Sequence, residues 1–182
     1  ANFDFRPRAG TDFQFNLGVT NADLHLLMAD VSTPTNNLEG RLSGELVITA
    51  ANSADKFSWN GHGRVQLRDG LIWAIPVFGV LSKPLDSLMP GLGSARITQG
   101  DGEFILTNGV TFSDTLELRA PISRLLCHGT VDFDQRVNLR VAAVPLRDNI
   151  GFGRILGLAL WPVTKLFEYR VTGTFNDPRP EP

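Results

Sequence analysis

The sequence predicts a mainly β protein: a long curved antiparallel sheet, shaped as a groove or taco-like meander, with two short helical segments. The first observation behind this prediction is an alternation of apolar and polar residues with period two, as in Phe13, Phe15, Leu17 and Val19. That period is typical of strands that bury one face. The second is that about ten such runs follow one another with short turns between them, which favours antiparallel pairing of sequence neighbours.

A degenerate repeat is the third observation. Each unit has a glycine, alternating apolar residues, a turn and a return strand, and the units begin at Gly44, Gly63, Gly102, Gly129 and, truncated, Gly173. This pattern indicates a hairpin unit added along one axis. Turns are predicted at Asn52-Ser53, Asp69-Gly70, Asn108-Gly109 and Asp134-Gln135, and Leu24 and Leu26 continue a strand-like parity.

Two segments break the alternation and predict the helices. Residues 73–92 are apolar, carry three prolines and have room for one or two short helices. Residues 150–167 predict a helix that ends or kinks near Pro162. The uncharged run at 155–164 is about half as long as a helix that crosses a bilayer, so we expect a helix that covers the core or lies at a membrane surface. At a membrane surface, Arg154 and Lys165 could reach the lipid headgroups.

Composition limits the domain organisation and the kinds of partner that we expect for this chain. The chain has 182 residues, 42% of them hydrophobic, and a net charge of −2. We expect one β-rich module over 1–182, with a Pro-rich tail at 179–182 and disorder expected only from Asp177 onward. Phosphate binding needs clustered positive charge, and the 17 Lys and Arg residues are scattered, so no nucleic-acid partner is expected. A single cysteine excludes an intramolecular disulfide.

Catalytic chemistry is not predicted. The histidines His25, His62 and His128 lack metal-ligand spacing, and Cys127 and His128, as strand neighbours, should point to opposite faces. Asp132 and Asp134 share a face, but their apolar neighbours place that face toward solvent. We therefore expect no enzyme activity, no metal site and no cofactor.

Residues 61–178 resemble the C-terminal region of AsmA-like proteins. The resemblance is carried by Gly61-x-Gly63-x-Val65-x-Leu67-x-Asp69-Gly70-x-Ile72 with Ile75-Pro76-Val77-Phe78, by Phe104-x-Leu106-x-x-Gly109-Val110, by Gly129-Thr130-Val131-Asp132-Phe133, and by the stretch from Pro162 through Gly173 to Pro178.

This resemblance implies an elongated β-groove protein of the bacterial envelope, in the periplasm, similar to bridge-like lipid transporters in which phospholipid acyl chains move toward the outer membrane. It implies outer-membrane biogenesis or lipid homeostasis, no catalytic residues, and other envelope proteins as further partners. The chain starts at Ala1 without Met, so we expect a piece of a longer protein, anchored in the inner membrane by a segment outside 1–182.

The predicted lipid-binding residues lie on the apolar parity: Val65, Leu67, Phe104, Leu106, Val131, Phe133, Leu139 and Val141. Predicted membrane or partner contacts are Trp73, Phe78, Trp161 and Phe167. Two other readings stay open at this stage. One is a structural or assembly module with a closed β core that docks partner proteins through its helical segments. The other is a carbohydrate-binding β-sandwich, which would need aromatics on a polar face.

Overall fold

The computed structural model describes residues 4–6 (backbone only), 10–27, 38–146 and 168–181. Its strands form one antiparallel sheet in which each strand pairs with its neighbours in sequence, so the predicted fold class and the meander are confirmed. The sheet is open, with β1 and β10 at opposite edges. The strands are β1 Asp4–Arg6, β2 Gly10–Asp23, β3 Glu39–Asn52, β4 Asp55–Leu71, β5 Ile97–Thr107, β6 Val110–Arg119, β7 Ser123–Asp132, β8 Arg136–Pro145, β9 Glu168–Thr174 and β10 Asp177–Glu181.

The strand pairing aligns the apolar parity into continuous rows. Directly opposed residues share a face, so the registers define four rows across what we call the inner face. Row 1 is Ala22, Leu42, Leu67, Gly100, Leu118, Leu125 and Ala143. Row 2 is Val19, Gly44, Val65, Gly102, Leu116, Cys127, Val141 and Tyr169. Row 3 is Leu17, Leu46, Gly63, Phe104, Ser113, Gly129, Leu139 and Val171. Row 4 is Phe15, Ile48, Gly61, Leu106, Thr111, Val131, Val137 and Gly173.

The glycines of the repeat have a common position that alternation alone does not reveal. All five stand in rows 1 to 4, facing inward, and two further glycines join them there: Gly44, Gly63, Gly102, Gly129 and Gly173, with Gly61 and Gly100. A Cβ at Gly102 would lie 2.9 Å from Leu116 Cδ1, and a Cβ at Gly63 would overlap the Phe104 ring. A strand glycine often marks such a close approach. Glycine here lets long side chains lie flat across the neighbouring strand, on the crowded side of a curved sheet.

One end of the inner face is covered by helices. Helix α2 (Pro76–Leu88) and a 3-10 turn at Leu92–Ser94 occupy the connection between β4 and β5, which confirms short helices within 73–92. Pro76 opens α2 at a position where its missing N–H costs nothing. Leu81, Leu85 and Leu92 are fully buried in one cluster with residues of rows 1 and 2. We call this the helix-covered end.

The opposite end has tight turns and a smaller core. Two-residue turns join β3 to β4 and β5 to β6, and another turn joins β7 to β8, as predicted at Asn108-Gly109 and Asp134-Gln135 and one residue after the predicted Asn52-Ser53. Asn108 and Gly109 both have positive φ, at 51° and 73°, as a primed hairpin turn requires. Ile48, Ala51 and Leu106 are buried there, with Phe13, Leu46 and Trp59 packed against them. We call this the turn end.

Three local predictions were wrong. Asp69-Gly70 lies inside β4, where Asp69 has a φ of 50° and makes a bulge opposite β3 rather than a turn. Residues Leu24–Leu27 form a one-turn helix, α1, instead of continuing a strand. The Pro-rich end is ordered as β10, because both prolines lie on an edge strand, where a missing N–H is tolerated. The predicted helix at 150–167 lies outside the described residues.

Candidate functional site

The eight predicted lipid-binding residues lie on one side of the sheet. Seven of them stand in rows 1 to 4. Phe133 is the exception, since it follows the end of β7 in the turn. Its ring centroid lies 5.6 Å from that of Trp59 on the same side, in an edge-to-face contact. The register therefore brings the whole set together.

Burial divides the seven members that stand in the rows into two groups, whereas Phe133 is 38% exposed. Leu67, Leu106 and Val141 are buried and serve as core. Val65, Phe104, Val131 and Leu139 are only half-buried, and Leu116, which the sequence reasoning did not select, is half-buried beside them. We call these five residues the groove residues. They lie in rows 2 to 4 on β4 to β8, between the helix-covered end and the turn end.

The aromatic cluster at the turn end was missed by the sequence reasoning. The Trp59 ring makes edge-to-face contacts with Phe13 at 5.2 Å, Phe15 at 6.3 Å and Phe133 at 5.6 Å between centroids. These rings come from β2, β4 and the turn after β7, which are distant in sequence. In the sequence, the apolar parity shared by Phe57 and Trp59 was the one pattern that pointed to an aromatic side chain on this face.

Charge separates the two faces of the sheet. The four rows contain no charged residue. The outer face carries ion pairs across neighbouring strands, including Arg64 with Glu45 at 3.4 Å and Arg140 with Glu168 at 3.7 Å. These pairs are exposed and each adds little stability. Their main effect is that one side of the sheet is suited to water and the other to apolar material.

The outer face also has a depression of about 470 Å³. His62, Ile105 and Phe112 line it together with the Glu45–Arg64 pair. Ile105 is 56% exposed and Phe112 is 43% exposed, so this is a shallow apolar patch between charges. No nucleophile with an adjacent base lines it, and it gives no reason to assign catalysis.

The titratable groups of the described residues do not converge on a reaction centre. Burial raises the pKa of the Cys127 thiol to about 12, so the thiol stays protonated and unreactive. Cys127 faces inward and is buried while His128 is exposed, as predicted for strand neighbours. Lys56 and Asp134 form a surface ion pair, and the hydrogen bond from Lys56 lowers the pKa of the Asp134 carboxyl. Within the described ranges no group of three His, Cys, Asp or Glu side chains has a metal-binding arrangement.

The predicted contact residues have mixed positions. Trp73 is half-buried and its Nε1 donates a hydrogen bond to the carbonyl oxygen of Ala95 at 2.8 Å. Phe78, on α2, is half-buried against the core of the helix-covered end. Both side chains thus contribute to attaching α2 to the sheet. Trp161 and Phe167 lie outside the described residues. Among the helices of the described part, none has the length and apolar character to cross a membrane.

No family model, curated protein or solved structure matches this chain. The resemblance to AsmA-like proteins therefore stays a prediction from the sequence motifs.

Proposed function

We propose that this protein is a non-catalytic lipid-handling protein whose inner face binds the acyl chains of phospholipids. One observation carries the proposal. The uncharged rows leave five half-buried apolar residues in adjoining positions on β4 to β8, between two covered ends. A contiguous accessible apolar surface of this kind is typical of binding sites.

The chemistry of the site suits an acyl chain better than a compact polar ligand. Val65, Phe104, Leu116, Val131 and Leu139 offer only apolar contact, so they would hold a hydrocarbon chain without recognising its headgroup. Binding by area alone is tolerant of chain length and allows sliding, because no directional bond has to break at each step. Each buried methylene contributes about 0.8 kcal/mol.

The biological setting is proposed from the AsmA-like motifs. In that setting the protein acts in the periplasm, joined to the inner membrane through a segment outside 1–182, and passes phospholipid toward the outer membrane. The division of charge between the two faces supports it, since a groove of this kind has to shield acyl chains from water on one side only.

The test compares matched substitutions on the two faces. Val65→Asn and Leu139→Asn place an amide among the groove residues, while Ile105→Asn and Leu126→Asn place the same amide at exposed apolar positions of the outer face. Binding of a phospholipid with a fluorescent acyl chain is measured by titration. We expect about tenfold weaker binding for the double inner variant, because an unpaired amide resists burial against hydrocarbon.

The outer variant should bind as the unmodified protein does. Urea denaturation of both variants checks that the fold is retained. Equal affinity of the inner and outer variants, or no binding of the probe by the unmodified protein, would show that the inner face is only a core.

A further inference from the structure

The inner face becomes less accessible from β2 toward β9. In row 3, Leu17 on β2 is 51% exposed, Leu139 on β8 is half-buried and Val171 on β9 is fully buried. Row 2 changes in the same direction, from the half-buried Val65 on β4 to the fully buried Val141 on β8. The accessible apolar surface is therefore open on the β2 side and closed on the β9 side.

The closed side lies beneath helix α2. This helix leaves the sheet after β4 and also lies against β10, so it bridges from the middle of the sheet to its last strand. Val141 and Val171 belong to one buried cluster with Leu81 of α2. The inner face of β8 and β9 is thus part of the core, whereas the inner face of β2 is not.

The length of an acyl chain matches the distance from the middle of the sheet to this closed side. The hydrocarbon core of a bilayer is about 30 Å thick, so one acyl chain covers about 15 Å. That length equals roughly three spacings between neighbouring strands. A chain that lies across the strands with one end against β7 or β8 therefore extends back to β4 or β5, and the rest of the lipid lies further toward β2.

The two ends of a phospholipid have opposite requirements. A charged headgroup loses its hydration when it enters an apolar enclosure, whereas the terminal methyl group of an acyl chain does not pay this cost. We propose that a phospholipid on the inner face lies across the strands, with its terminal methyl groups toward β8 and its headgroup on the β2 side. This inference rests on the proposed function and gives that site a direction. Movement of a lipid past β9 would require α2 to separate from β10.

Two isomeric probes test this direction. Both are phosphatidylcholines with one diazirine on an acyl chain, placed close to the ester in the first and close to the terminal methyl group in the second. Each is bound to the 1–182 chain and photolysed, and the crosslinked peptides are identified by mass spectrometry. We expect the methyl-end probe to label mainly β7 and β8 and the ester-end probe to label mainly β4 and β5, with at least a fivefold difference between the probes at each place.

Matched single substitutions check the direction without a crosslink. Leu139→Asn on β8 places an amide beside the methyl end, away from water and from the ester, and should weaken binding of the fluorescent phospholipid about fivefold. Val65→Asn on β4 places the same amide near the ester and near water, so it should weaken binding only about twofold. Urea denaturation checks that both variants fold.

The possible failures of this inference and of the proposed function can be told apart. Labelling of the same strands by both probes, labelling in the reverse order, or an equal or larger loss of affinity for Val65→Asn overturns the direction while lipid binding still stands. Labelling of the protein by neither probe overturns the direction and the proposed function together.

Discussion

The helix-covered end and the turn end are made from the same strands, yet only one of them has a large core. At the helix-covered end, residues 72–96 leave the sheet, form α2 and pack Leu81, Leu85 and Leu92 onto the inner face. At the turn end, two-residue turns such as Asn108-Gly109 cannot fold back over the sheet. Apolar residues there cover one another through the Trp59 cluster. Connection length thus decides whether an apolar strand face becomes core or remains accessible.

The largest expected effect is in the core under α2. Leu85 is fully buried, so Leu85→Ala should lower the free energy of unfolding by about 3 to 4 kcal/mol, through lost burial and a cavity. Leu106→Ala at the turn end should cost about 2 kcal/mol, because its surroundings are thinner and relax more easily. Urea denaturation measures both, and an equal or larger loss for Leu106→Ala would remove the distinction between the two ends.

A smaller effect is expected from the aromatic cluster. Trp59→Ala removes edge-to-face contacts with Phe13, Phe15 and Phe133 and should cost about 2 kcal/mol. Phe57→Ala is the control, since Phe57 is 44% exposed and should change stability by less than about 0.5 kcal/mol. If the two variants unfold at the same urea concentration, the cluster does not stabilise the turn end.

Thiol reactivity tests whether the two ends open separately. Cys127 is buried in the cluster of the helix-covered end, and burial raises its pKa to about 12, so a thiol reagent at pH 8 should react only when that region opens. We expect Leu85→Ala to accelerate labelling more than Trp59→Ala does, by more than the difference in their free energies of unfolding accounts for. Because the chain has one cysteine, each labelling rate refers to one site. Labelling rates that depend only on the free energy of global unfolding would show that both ends open together.

The smallest effect concerns the ion pair of Lys56 with Asp134 at the turn end. The pKa of Asp134 is lowered, first by the hydrogen bond from Lys56. The pair therefore stabilises the folded state above the ordinary pKa of an aspartate, and this contribution is lost as the pH falls through the lowered pKa. Lys56→Met should flatten that acid decline slightly and leave stability at pH 7 nearly unchanged, as thermal unfolding between pH 2 and pH 7 can show. A steeper acid decline in the variant would contradict the sign.

The alternation of apolar residues was sufficient to predict the strands, their meander order and the shared face of Val65, Leu67 and Phe104. It was not sufficient to predict exposure, because Val65 and Val141 have the same parity in the same row, yet one is half-buried and the other fully buried. The difference depends on where α2 packs, which is a tertiary contact. Asp69-Gly70 has turn chemistry but lies in a long ladder, where the residues before and after it stay paired and the sequence signal produces a bulge.

The inward glycines are easy to find in the sequence, but their common position on one face of the sheet could not be predicted from it. Only the register shows that they face other inner-face residues across a ladder, as Gly63 faces Leu46 and Phe104. The aromatic cluster is the opposite case, because its members are far apart in sequence and no local pattern connects them.

The meander has a consequence for how the chain acquires its structure. Every ladder of the described residues joins strands that are consecutive in sequence, so no pairing has to close a loop that contains another strand, and the contact order is low for a β protein. No strand has to wait for a distant partner, and each hairpin can form as soon as its second strand has been synthesised. The sheet can therefore lengthen at the pace of chain elongation, with β10 pairing after β9 and the prolines of β10 leaving fewer N–H groups for a further strand at that edge.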